Sequence, residues 1–190
     1  MSRQAKGTDT ADTYTQYDDK NRVSKIIPPD ATAADADLTY SYTYDGDDNI
    51  LTKKIPDRPI TTYVYDDRNL MIGMQDALML ANGKQWMTTL YDAYGRSLQS
   101  GFGNVNGTTA TISELLITNS YDGNGTGNTT NPIYKGLMDK SIVNILDGYN
   151  MGTQNITTEY SYDIYGRVDT ETITNPLIGC LLYTSPSPRD

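Results

Sequence analysis

A chain of 190 residues that is 37% hydrophobic, has a net charge of −9 and contains no histidine is bounded before any motif is read. Its pI of about 4.4 makes nucleic acid a poor partner, because a polyanion repels an acidic surface. Without histidine the commonest general base and metal ligand are gone, and no apolar run approaches the length that spans a membrane.

The length suits one domain of ordinary size, but a mean hydropathy of −0.56 is low for a compact globule. Sixteen Tyr against one Phe and one Trp is the main bias. Tyr suits a sheet face that packs with the ring and wets the hydroxyl. Residues 1–13 are polar, lack the apolar core of a signal peptide and are expected to fray. From residue 14 a strand is predicted to lead into Tyr17-Asp18-Asp19-Lys20-Asn21-Arg22 and return through Val23, Lys25 and Ile27 on one face. Residues 31–37 read as a loop. Leu38, Tyr40, Tyr42 and Tyr44 alternate into Asp45-Gly46-Asp47-Asp48-Asn49, which carries one extra turn residue, and Leu51, Lys53 and Ile55 share a face on the way back. Pro56 and Pro59 end that strand or hold it at an edge.

The scheme recurs at Tyr63-Val64-Tyr65-Asp66-Asp67-Arg68-Asn69, with Leu70, Ile72 and Met74 returning. Residues 76–84 form a long connection with room for one helical turn, closed by the turn signal Asn82-Gly83. Trp86, Thr88 and Leu90 lead into Tyr91-Asp92-Ala93-Tyr94-Gly95-Arg96, and Tyr160-Ser161-Tyr162-Asp163-Ile164-Tyr165-Gly166-Arg167 is nearly the same string. Between them, 102–111 and 119–131 are Gly/Asn/Thr-rich and read as loops flanking one strand at 112–118. Strands are predicted at 133–138 and 141–147 with a turn at Asp139-Lys140, then a loop at 148–152 and strands at 156–162 and 170–174.

In each copy the Asp can open a turn by accepting backbone N–H groups just ahead. Gly or Asn then supplies the positive φ that closes it. Turns are therefore predicted at 18–21, 45–49, 66–69, 92–95 and 163–166, with Asn21, Asn49, Asn69, Gly95 and Gly166 at positive φ. Tyr121-Asp122-Gly123-Asn124-Gly125 is a degenerate sixth copy. The aspartates at 18, 45, 66, 92, 122 and 163 recur at the irregular intervals of a repeat architecture. The chain divides on this reading into a frayed end (1–13), repeats (14–101), a divergent region (102–159), a truncated repeat (160–179) and a tail (180–190).

These motifs resemble the YD repeats of Rhs (rearrangement hotspot) proteins, whose pattern is Tyr-x-Tyr-Asp-x-x-Gly-Arg-Leu. The run Lys54-Ile55-Pro56-Asp57, Tyr63-Val64-Tyr65-Asp66, Gln75-Asp76, Trp86 and Tyr91-Asp92-Ala93-Tyr94-Gly95-Arg96 is similar to the variety in long surface proteins of Bacteroidota-like bacteria. The resemblance covers roughly 14–175, is specific in 42–101 and 160–168, and weakens in 102–159. It implies an all-β fold of consecutive antiparallel hairpins forming a piece of an extended, curved sheet, the wall of a shell around a C-terminal toxin or effector. The partners would then be neighbouring repeats of a longer chain and that effector, outside the cell or at its surface. The implied structural motif is Tyr17, Asp18, Asn21; Tyr44, Asp45, Asn49; Tyr65, Asp66, Asn69; Tyr91, Asp92, Gly95, Arg96; and Tyr162, Asp163, Gly166, Arg167. A surface adhesin that holds glycan through exposed Tyr rows is the alternative.

Chemistry has few footholds. Asp122, Asn124 and Thr126 mimic the first half of a calcium loop, but Ile133 stands where a bidentate Glu is required. Asp45, Asp47 and Asp48 read as a solvated turn. The acids single out no catalytic pair, serine has no histidine to activate it, and the four sequons starting at Asn106, Asn124, Asn128 and Asn155 reflect Asn/Thr-rich loops. No enzyme, metal or cofactor is expected. Residues 180–190, with the chain's one Cys at 180, back-translate into a string resembling a sequencing-library adapter. They are expected to be a non-native tail without regular structure, at the end of a fragment of a longer protein.

Overall fold

The computed structural model describes residues 2–6, 9–29, 31–35, 37–145, 154–176 and 179–184. Among them are fourteen strands: β1 (Ser2–Lys6), β2 (Asp9–Tyr17), β3 (Val23–Ile27), β4 (Tyr40–Tyr44), β5 (Ile50–Lys54), β6 (Thr61–Tyr65), β7 (Met71–Gln75), β8 (Trp86–Tyr91), β9 (Ser97–Asn106), β10 (Thr109–Tyr121), β11 (Met138–Ile145), β12 (Gln154–Tyr162), β13 (Val168–Asn175) and β14 (Gly179–Thr184). Each pairs with its neighbours in sequence, in the order β1 to β14, so no strand crosses over. The fold is all-β. Its helix α1 (Ala77–Ala81) is capped by the Asp76 carboxylate, which accepts from the Met79 amide at 2.8 Å, and buries none of its residues. Two compact units are distinguished, Met1–Thr88 with Gly103–Ala110, and Thr89–Phe102 with Thr111–Asp190.

A register shift marks the Tyr-Asp hairpins. Tyr17 lies opposite Val23 but Gln16 opposite Lys25, and the same slip follows Thr43/Tyr44, Val64/Tyr65 and Ser161/Tyr162. One residue of each return strand is thus left out of the ladder. Such a bulge bends the strand and increases its twist. It also corrects the period-2 reading: Val23 faces with Tyr17 and Lys25 with Gln16, so the two lie on opposite faces. The bulged Ile72 is one of the few buried apolar side chains of the first unit, with Ile27. The residues paired two before the Asp carry hydroxyls where Thr43 meets Thr52 at 2.6 Å and Ser161 meets Thr170 at 2.5 Å.

Other expectations also change. The end predicted to fray pairs as a hairpin, Ser2 opposite Thr13 through Lys6 opposite Asp9. The tail predicted to be irregular supplies β14, paired with β13 from Asn175–Gly179 to Thr170–Thr184. An open sheet edge offers unpaired N–H and C=O groups to any extended segment, and this ladder does not select side chains. Residues 185–190 and the loop predicted at 148–152 lie outside the described residues.

Of the two Gly/Asn/Thr stretches, 102–111 is not a loop but part of the long hairpin of β9 and β10, turning at Gly107 with φ 59°, whereas 119–131 is a loop from residue 122 onward. Gly101 is required in that hairpin, since a Cβ would fall 2.2 Å from the Glu114 carbonyl oxygen. The predicted strand at 133–138 is instead a 3-10 turn, Pro132–Tyr134, and the predicted turn at Asp139-Lys140 lies within β11. Pro132 fixes φ and has no N–H for a ladder, which suits the first position of a helical turn. In the second unit Tyr134 is buried edge-on against Tyr162, ring centres 5.5 Å apart.

Candidate functional site: the Tyr-Asp turns and the loop after strand β10

Five turns share one geometry. The Asp amide donates to the carbonyl four residues on, as in Asp18 to Arg22, Asp45 to Asn49, Asp66 to Leu70, Asp92 to Arg96 and Asp163 to Arg167, at 2.9–3.0 Å. The Asp carboxylate then accepts two amides. For Asp18 these are Lys20 at 3.0 Å and Arg22 at 2.8 Å. For Asp92 they are Tyr94 at 2.8 Å and Arg96 at 3.0 Å, and for Asp163 Tyr165 at 2.8 Å and Arg167 at 3.0 Å. Asp45 and Asp66 do the same with residues 47 and 49, and 68 and 70. The residue three after each Asp has positive φ: Asn21 and Asn69 at 62°, Gly95 at 81°, Gly166 at 75°. In the second turn this residue is Asp48, at 68°, not Asn49. Asn49 stands where the others place Arg or Leu, so the turn has the common length.

The carboxylate's second oxygen takes a side chain: Arg22 Nε at 2.7 Å, Arg96 Nε at 2.6 Å, Arg167 Nε at 2.8 Å, Asn49 Nδ2 at 3.0 Å and Arg68 Nε at 3.0 Å. These groups also reach the next turn. In the first unit Arg22 donates to the Asp45 carbonyl at 3.1 Å and to Asp48 at 2.5 Å, and lies 4.5 Å from the Tyr44 ring centre. Asn49 then donates to Asn69 at 3.1 Å. In the second unit Arg96 forks onto Asp122 at 3.2 and 2.7 Å and lies 4.4 Å from the Tyr121 ring centre. The Tyr hydroxyls complete the link. Tyr44 donates to the Val23 carbonyl at 2.8 Å, Tyr65 to Ile50 at 3.1 Å, Tyr121 to Ser97 at 3.1 Å, and Tyr162 to Met138. Tyr17, with no earlier Tyr-Asp turn in this chain, is 54% exposed.

Asp122 does not form the common turn. Its amide donates to Leu137, its carboxylate accepts from the Gly136 amide at 2.7 Å, and Asp122 itself has φ 62°. The loop it opens is anchored by Asp139, which the sequence marked only as half of a turn. Asp139 is fully buried, and its Oδ2 accepts the amides of Gly125 at 2.6 Å and Thr126 at 3.0 Å. Its Oδ1 has no hydrogen-bond partner. Asn124 and Thr126, the would-be calcium ligands, therefore belong to a loop closed by protein donors. The Asp45 carboxylate is likewise engaged by its own turn, and Asp48 by Arg22. Among the described residues no group of three or more Cys, Asp or Glu is placed to hold a metal, and no helix is long and apolar enough to cross a membrane.

The hydrogen bonds set the electrostatics. The Arg22 amide holds Asp18 below the ordinary carboxylate value, and the Asn49 side chain does so for Asp45. Burial opposes ionisation at Asp66, Asp92 and Asp163, but amide and Arg hydrogen bonds outweigh it. Arg96, then the Gly136 amide, lowers Asp122 from 3.8 to about 2. A depressed carboxylate contributes stability fully above its unfolded value and loses it as pH falls through its folded one. The thermal midpoint is therefore expected to stay level from pH 8 to pH 5, where no histidine titrates, and to fall between 3.8 and about 2. Melting curves across that range check this, and a drop centred near pH 6 would contradict it.

In the second unit the 122–136 loop and the turn at Tyr94 enclose an open cleft of about 660 Å³, lined by Tyr94, Arg96, Asp122, Lys135 and residues 129–132. Tyr94 is 84% exposed and Tyr165, at the equivalent position of its turn, 76%.

No protein-family model matches the chain, and no curated protein matches it. Solved structures are similar to it, among them three of Tc toxin components. The crystal structure of TcdB2-TccC3-Cdc42 covers 94% of this chain at 14% identity, with a TM-score of 0.55. A Photorhabdus luminescens Tc holotoxin pore with a mutated TccC3 covers 94% at 15% identity and 0.53. The crystal structure of TcdB2-TccC3-TEV covers 90% at 15% identity and 0.54. This chain spans 10% of the length of each. At such identities what is shared is the fold.

Proposed function

We propose that this chain is a structural segment of an Rhs-like shell wall, without catalytic activity, in an exported protein that encloses a C-terminal effector. The observation that carries the reading is the linkage of one turn to the next. Each of Tyr44, Tyr65 and Tyr121 donates its hydroxyl to the start of the preceding return strand, and Arg22, Asn49 and Arg96 reach forward to the following turn. The motif side chains are thereby used to fix one hairpin against another, which is what a wall of repeats requires. Arg167 is 61% exposed where Arg22 and Arg96 are 19% and 21%, as fits a turn awaiting its successor. The likeness in fold to parts of Tc toxin complexes supports the same reading.

Electron microscopy of the full-length parent protein is the test. A closed hollow particle containing the C-terminal region is expected. An extended rod with that region free in solvent would favour the adhesin alternative and sink the wall.

A further inference from the structure

We propose that the cleft beside Tyr94 in the second unit binds an acidic saccharide, a role independent of whether the chain forms a shell wall. Wall formation accounts for the half-buried Tyr residues that precede each Asp, but not for a Tyr at a turn tip with 84% of its surface open. The Arg96 guanidinium lies 5.2 Å from the Tyr94 ring centre, covering one face and leaving the other to solvent. A ring so placed is a platform for the C–H face of a pyranose, whose hydroxyls need donors and acceptors around the ring's edge.

The remaining lining supplies them. Thr129 and Thr130 bring exposed hydroxyls. Asn131 spends its side-chain oxygen on the Ile133 amide at 3.1 Å, and its NH2 keeps no partner among the described residues. Lys135 is exposed with no salt bridge among the described residues. Arg96 is held by both Asp92 and Asp122, so Lys135 is the cleft's one cation without a salt bridge among the described residues, in a chain of net charge −9. That contrast selects a sugar bearing a carboxylate over a neutral one. The cleft's volume of about 660 Å³ accommodates two to three sugar rings, by comparison with the ~300–1,000 Å³ typical of small-molecule sites.

The chain contains its own control. Tyr165 and Arg167 repeat the arrangement, ring 76% exposed and guanidinium 5.1 Å from its centre, but Tyr165 does not line this cleft. Titration of the 190-residue chain with trigalacturonate, followed by calorimetry at low ionic strength, is expected to show saturable binding. Tyr94→Ala and Lys135→Ala should each weaken it about tenfold or more, and Tyr165→Ala should leave it unchanged. Both lining side chains are exposed, and a circular dichroism spectrum matching the parent shows that the variants fold. Maltotriose and inorganic phosphate should each bind at least ~10-fold more weakly. No binding of trigalacturonate, equal binding by the Tyr94→Ala chain, or phosphate binding as tight as the saccharide would overturn the proposal.

Discussion

Asp139→Ala is expected to destabilise the second unit by about 1–3 kcal/mol, because it strands two part-buried amides. Gly125 and Thr126 donate only to this carboxylate within the loop, and water cannot replace it at a side chain with no exposure. Relief of the unpartnered Oδ1 offsets a part of the loss. Asp139→Asn keeps an acceptor in the same place and should cost roughly half as much. Gly125 shows how closely the pocket is drawn, since a Cβ there would lie 2.7 Å from Asp139 Oδ2 and 2.6 Å from Lys140 Cβ. Amide hydrogen exchange reads the loop directly. Gly125 and Thr126 should lose protection in Asp139→Ala before the strands do. Unchanged protection in a folded Asp139→Ala chain would mean that Asp139 is not the anchor.

Gly166→Val should cost about 1–3 kcal/mol, from the strain of a β-branched residue at positive φ. Gly166 has φ 75°, and a Cβ would find its nearest neighbour, Leu137 Cδ1, at 3.8 Å, which is ordinary contact. Crowding is thus not the cause, and the dihedral is. Gly166→Asn should be nearly neutral, for the chain itself places Asn21, Asn69 and Asp48 at this same turn position with φ of 62°, 62° and 68°. Gly95→Val should follow Gly166→Val. Thermal midpoints of the variants decide the matter: equal losses for Asn and Val would transfer the requirement from backbone conformation to space.

The turns were legible because their signal is local. An Asp that accepts amides two and four residues ahead, with a tolerant residue between them, is written within six positions of the sequence. The one misplacement, Asn49 for Asp48, came from choosing the residue type best suited to αL over the position that the Asp geometry demands. What could not be read were features that depend on distant atoms. Residues 102–106 belong to a strand because β9 pairs with β10, and their Gly/Asn/Thr composition says loop. The bulges invert an otherwise reasonable alternation from one residue onward. Asp139 looked like a turn former because nothing near it in sequence announces the two amides that close on it. The Tyr-to-carbonyl links between turns span 15 to 24 residues and follow from the repeat only once its pitch is known. Of the candidate cleft, Arg96 was legible as a motif residue, whereas Tyr94 and Lys135 acquire meaning from the loop that curls beside them.

A sheet whose strands pair strictly in chain order can be built in the order in which it is made. Each new hairpin finds its template in the one just finished, so loop closure spans only a few tens of residues at every step, unlike the distant pairings that slow most all-β proteins. Such a chain need not be present in full before it begins to fold. It can emerge from a ribosome or a narrow translocation channel and harden behind itself, one Tyr-Asp turn at a time, with a single growing edge exposed to misassociation rather than many.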